Sequence, residues 1–190
     1  MIVVISPEQH YPKETLWANR LLEARLECFH IRKPHWDDEA VAKYVSEIDQ
    51  SYHTKIVLHD RLEVSLTYGL KRLHITEKKR KNKVMEIKEE MTYSTSVHNM
   101  ADFNELEMIW DYAFVSPIFP SLSKVGYGQN TAVFHQLKSR KNFHTKLIGL
   151  GGVAPENISN VYETGVDGVA LLGYIWQSNN PLNAFMLCKS

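Results

Sequence analysis

Eight short runs rich in β-branched and aromatic residues alternate along the chain with segments of helical apolar spacing, and this rhythm limits the fold more than any other feature. The runs begin near Ile2, Cys28, Lys55, Arg72, Thr92, Tyr112, Lys146 and Gly168. Dividing 190 residues by eight leaves about 24 for each strand and its crossover, tight but sufficient for a helix. Eight such units predict an α/β fold, a small (β/α)8 TIM barrel forming a single domain over residues 1–190.

The connecting segments carry helix signals. Pro155, Glu156 and Asn157 open a helix whose Ile158, Val161 and Tyr162 share a face before Gly165 ends it. Phe103, Leu106 and Trp110 fall at i, i+3 and i+7, which predicts a helix over 102–110 packed outside the barrel. His35, Trp36, Asp37 and Asp38 read as a helix start with acids in the first turn, and Lys78, Lys79, Arg80 and Lys81 as a solvated basic loop.

Alternation along the strands predicts which side chains enter the barrel. On the second strand Cys28, His30 and Arg32 point inward while Phe29 and Ile31 face helices. On the fifth, Thr92, Ser94, Ser96 and His98 point inward while Tyr93 and Val97 face out. Polar interior positions near strand ends imply a site.

Composition removes several function classes. Lys plus Arg and Asp plus Glu number 22 each, so no net field draws the chain to nucleic acid, and no aromatic residues interleave the basic cluster. No apolar run of about 18 residues occurs and no basic leader precedes Ile2, so the chain reads as cytoplasmic and free of membrane. Cys28 and Cys188 belong to no CxxC pair and read as reduced, buried thiols. A barrel face near Trp176 is available for pairing into a homodimer.

Gly149 to Ala154 satisfies a GxGxxA pattern with Asp167 beyond it, but only 41 residues follow Gly149, too few for a dinucleotide unit. A phosphate cradle is the better use of the turns at Gly152, Val153, Leu172 and Gly173, because loops after the seventh and eighth barrel strands offer backbone N–H groups to phosphate. Tight turns alone remain the plain reading. Ser121, Ser123 and Lys124 lie in a polar loop after the sixth strand and suit an anion, as an ordinary serine-rich loop would also look. Asp60 is a candidate magnesium ligand or a helix N-cap; His98 is a candidate acid/base or a structural hydrogen-bond partner.

Together, Phe29 to Lys33, Leu58 to Arg61, Ser96 to His98, Tyr112 to Lys124, Gly151 to Val153 with Asn157, and Gly165 to Ala170 resemble the thiamine phosphate synthase and TenI-type thiazole tautomerase family. The resemblance implies a small-molecule transferase: a pyrimidine diphosphate loses diphosphate and the resulting pyrimidinylmethyl cation is captured by a thiazole phosphate. It implies Arg32, Ser121, Ser123 and Lys124 at the diphosphate or reacting rings, and Asp60 on Mg2+. His30 and Ser96 then face substrate, and Gly152, Val153, Leu172 and Gly173 receive the thiazole phosphate.

Departures bear on that expectation. His30 stands where the family has Gln, His59 where it has Asn, and Lys33 is displaced by one position to the opposite face. Lys79 falls where a second magnesium carboxylate is expected. Three expectations follow: the synthase, in which Glu77 or Lys79 offsets the lost carboxylate; a metal-independent tautomerase using His98; and a non-catalytic binder of thiazole phosphate or thiamine phosphate.

Overall fold

The computed structural model describes residues 1–119 and 133–189. Its strands are β1 (Ile2–Ile5), β2 (Cys28–Ile31), β3 (Ile56–His59), β4 (Arg72–Ile75), β5 (Thr92–Val97), β6 (Trp110–Val115), β7 (Lys146–Leu150) and β8 (Gly168–Leu171). They pair in chain order and β8 returns to β1, every pair parallel, so the sheet closes and leaves no edge. The expected barrel is present, with strand starts within two residues of expectation.

Alternation separates two cores. Val3, Ile5, Cys28, Val57, Tyr112, Phe114, Ile148 and Ala170 fill the barrel interior. Their sequence neighbours, among them Val4, Phe29, Ile31, Leu58, Tyr93 and Val97, pack outward beneath α1 (Glu14–Glu23), α2 (Asp38–Ser46) and the other helices. Burial of each such side chain is worth about 1.5–3 kcal/mol, so the pattern that closes the barrel also orients it. Toward the C-terminal end of β2 to β5 the interior turns polar, with His30, His74 and Ser94 almost wholly buried. Both cysteines are free and buried, as expected.

α3 (Leu62–Thr67) and α4 (Glu77–Lys81) are short, and α6 (Pro155–Tyr162) begins at Pro155 as its sequence requires. Asp37 caps α2, its carboxylate accepting from Ala40 N at 2.8 Å, which bears out the reading of the acids there. The basic cluster is corrected. It is α4, not a loop, with Arg80 Nε donating to Thr95 Oγ1 at 3.2 Å and Lys81 paired with Glu77 and Asp102.

The helix expected over 102–110 is also corrected: α5 (Met100–Asn104) stops early and Trp110 opens β6. Phe103, Leu106 and Trp110 are all buried, so their spacing reported burial correctly. The helix stops where Asn142 Nδ2 donates to the carbonyls of Phe103 (3.2 Å) and Leu106 (3.1 Å), the acceptors a continuing helix would use.

Trp176 itself is not exposed, so it does not form the open barrel face expected around it. Trp176, at the end of α7 (Gly173–Trp176), is 7% exposed, packs edge-on against Tyr11 and Phe29, and donates to Ile5 O at 2.7 Å. The chain's last described helix, α8 (Pro181–Lys189), follows it, and no described helix is long and apolar enough to cross a membrane.

Candidate functional site

A cavity of about 490 Å³ opens at the C-terminal mouth of the barrel, where the loops after the strands converge. A wider groove of about 970 Å³ lies near the C-terminal ends of α1 and α2. There Asn19 and Asp49 are spent on local structure: Asn19 Nδ2 donates to Glu47 O and Asp49 N to Asn19 Oδ1. The mouth is therefore the candidate site.

Arg32, Ser96, His98, Gly152, Val153, Leu172 and Gly173 all line the cavity, as the strand pattern anticipates. Arg32 reaches it already paired with Glu8 through Nη1. Gly151 and Gly152 turn with φ of 105° and 67°, values that disfavour a side chain, and a Cβ on Gly151 would lie 3.1 Å from Pro117 Cα. Asn157 fixes this turn, its Nδ2 donating to Gly152 O at 2.9 Å and its Oδ1 accepting from Ala154 N at 3.0 Å.

His98 has one defined tautomer when neutral. Its Nδ1 lies 2.9 Å from the Ser116 carbonyl, which can only accept, so Nδ1 carries the hydrogen and Nε2 is the basic atom. Nε2 stands 3.4 Å from Glu77 Oε2, and both residues line the cavity. A proton placed between them makes a charge-assisted contact, the arrangement a group needs to take up and return a proton.

His30 is not on the cavity wall. It is wholly buried beneath it, with Nε2 2.5 Å from the Tyr112 hydroxyl and Nδ1 3.0 Å from His59 Nε2. His59 and His74, unassigned as site residues from sequence, line the cavity, their rings stacked at 4.2 Å. Strand alternation was the available signal, since both share the inward parity of their strands. Burial pushes His30 and His59 well below the ordinary histidine range and His74 down to about 3; positive charge nearby adds to this.

That burial predicts acid sensitivity. Above the unfolded value near 6.5 the three rings are neutral in both states; as pH falls toward the lowered native values the unfolded chain binds protons the native chain refuses, so stability is lost. In EDTA the unfolding free energy from urea titrations should be level between pH 7 and 8 and fall from pH 6.5 to 5, by on the order of 1 kcal/mol per pH unit per group, with the urea midpoint falling in step. A His59→Gln variant should show a shallower fall, and a midpoint independent of pH would contradict the account.

Asp60 lies outside the cavity wall. Its carboxylate accepts from Thr76 N (3.1 Å) and Thr76 Oγ1 (2.9 Å), and Lys79 Nζ stands 3.9 Å from Oδ1, so it ties two loops together and does not cap α3. Glu77, the other carboxylate weighed for magnesium, is surrounded by Lys81 at 2.9 Å, Arg80 at 3.6 Å and His98. Magnesium wants an octahedron of oxygens, and an ammonium beside each carboxylate opposes it; these residues do not fit the ion. Ser121, Ser123 and Lys124 lie outside the described residues. Asp167, the acid of the GxGxxA pattern, holds Leu147 N and Arg140, which removes a nucleotide role.

A closed eight-stranded parallel barrel, with a cavity at its C-terminal mouth where Arg32, Glu77 and His98 stand on a largely apolar wall, defines a (β/α)8-barrel protein with a candidate small-molecule site. The sequence model of the family described as thiamine monophosphate synthase (TMP-TENI) matches residues 1–175, and the chain belongs to that family. A thiamine-phosphate synthase of Listeria monocytogenes is 27% identical over 135 residues, 68% of this chain and 63% of that one, so the match spans under two thirds of that relative. One of Latilactobacillus sakei is 27% identical over 186 residues, 89% of this chain and 80% of that one. Among solved structures, a thiamine phosphate pyrophosphorylase from Bacteroides thetaiotaomicron superposes with a TM-score of 0.81 at 21% identity, covering 99% and 95% of the two chains. One from Pyrococcus furiosus gives 0.79 at 17% identity, covering 99% and 93%.

Proposed function

We propose that this chain binds a phosphorylated thiazole in the barrel mouth and transfers a proton on it, as a TenI-type tautomerase does. The observation that carries the reading is His98, held by Ser116 with its basic Nε2 toward Glu77 on the cavity wall. The Gly151–Gly152 and Leu172–Gly173 turns receive the phosphate, and Arg32 and Ser96 orient the ring. His98 takes a proton from one ring-system carbon and returns it at another, with no magnesium in the step.

The synthase is the second reading, favoured by the names of the curated relatives and by Arg32 at the mouth. It requires the loop of Ser121, Ser123 and Lys124 to supply the diphosphate contacts, and Lys79 the charge that magnesium gives elsewhere.

Two parallel incubations of the purified chain test these readings. The first contains a thiazole carboxylate phosphate tautomer in D2O without added magnesium, followed by NMR. The second contains pyrimidine diphosphate, thiazole phosphate and magnesium, assayed for thiamine phosphate. Tautomerisation in the first is expected. Product only in the second replaces the reading with the synthase; no turnover in either, with thermal stabilisation by thiazole phosphate, leaves a binding protein.

A further inference from the structure

We propose that His30, His59 and His74 form a zinc site beneath the cavity, with an open coordination position toward its mouth. One nitrogen from each ring can be chosen so that all three lie within 4.8 Å of one another. His30 Nδ1 and His59 Nε2 are already 3.0 Å apart, against about 3.3 Å for two ligands on a tetrahedral ion at about 2.0 Å. The third ring, His74, has to rotate out of its stack with His59 and give up one of its two serine contacts to reach the same ion.

The surroundings are those of a ligand set. Tyr112 holds Nε2 of His30 and so aims Nδ1 at the cluster, while Ser94 and Ser96 bracket His74, leaving one hydroxyl to orient the ring once the other is released. Burial keeps the imidazoles neutral, the form that binds metal. No carboxylate joins the described cluster, which suits a borderline nitrogen-preferring ion over magnesium or calcium. Three protein ligands and a free position facing a cavity is the pattern of an exchangeable rather than a closed structural zinc site. The proton-transfer reading does not use His30 or His59, so the two inferences fail independently.

The test is titration of the tag-free, metal-stripped chain with Co2+, followed by Zn2+. One Co2+ per chain should give the intense visible bands of four-coordinate cobalt, and Zn2+ should abolish them. His59→Asn, at a half-buried position, should weaken binding at least tenfold, and His98→Asn should leave it unchanged. X-ray absorption at the zinc edge of the unaltered chain should show imidazole scattering at about 2.0 Å and needs no variant to fold. No cobalt spectrum, a spectrum that survives in folded His59→Asn, or a zinc shell without imidazoles would overturn the proposal.

Discussion

His98→Asn is expected to lower kcat for thiazole tautomerisation by about 10²–10⁴-fold with little change in KM, the range a positioned acid/base contributes. Asparagine can still donate to the Ser116 carbonyl, so the loop between β5 and α5 stays as it is while the basic atom is lost. Glu77 acts on the substrate only through His98. Glu77→Gln should therefore lower kcat by less than His98→Asn does, because the contact at Nε2 loses its charge while the basic atom stays. A purely structural Glu77, serving only its pairs with Arg80 and Lys81, would alter stability and leave kcat in place. Full tautomerase activity in folded His98→Asn would remove His98 as the acid/base.

The barrel was legible because each strand carries its own alternation: Cys28, His30 and Arg32 against Phe29 and Ile31 is a local pattern, and local patterns survive into the fold. The cavity wall followed, since Arg32, Ser96, His98 and the glycine turns sit at strand ends. What escaped was pairwise and long-range. Asn142 taking the carbonyls of Phe103 and Leu106 ends a helix from 36 to 39 positions away, and no spacing within 102–110 reports it. The stack of His59 on His74 depends on the register of β3 and β4, and the burial of His30 on Tyr112 across the barrel. Asp60 was placed correctly at a strand end, but its partner Thr76 lies on the next loop, so a ligand and a loop tie look alike in sequence.

Lys33→Ala is expected to cost about 3–5 kcal/mol in stability, the largest loss among single changes argued from this structure. The Lys33 side chain is wholly buried, and its Nζ donates to Glu14 Oε2 (2.8 Å), Pro7 O (2.6 Å) and Gln9 O (3.2 Å). Burial lowers its pKa and the Glu14 carboxylate works against that shift. Removing the ammonium leaves an almost fully buried carboxylate with only the long contact from Tyr11 N (3.3 Å) on Oε2 and no hydrogen bond on Oε1. The double variant Lys33→Met/Glu14→Leu should recover most of the loss in urea titrations, since an apolar pair of similar volume removes both charges. Recovery should be incomplete, because the Pro7 and Gln9 carbonyls lose their donor. Those carbonyls flank Glu8, whose carboxylate holds Arg32 at the cavity. The double variant should therefore raise KM for the thiazole phosphate several-fold while leaving kcat near its original value, separating the lysine's part in the fold from its part in positioning the site. Equal losses of stability in the single and double variants would show that the ion pair's charge is not what these side chains contribute.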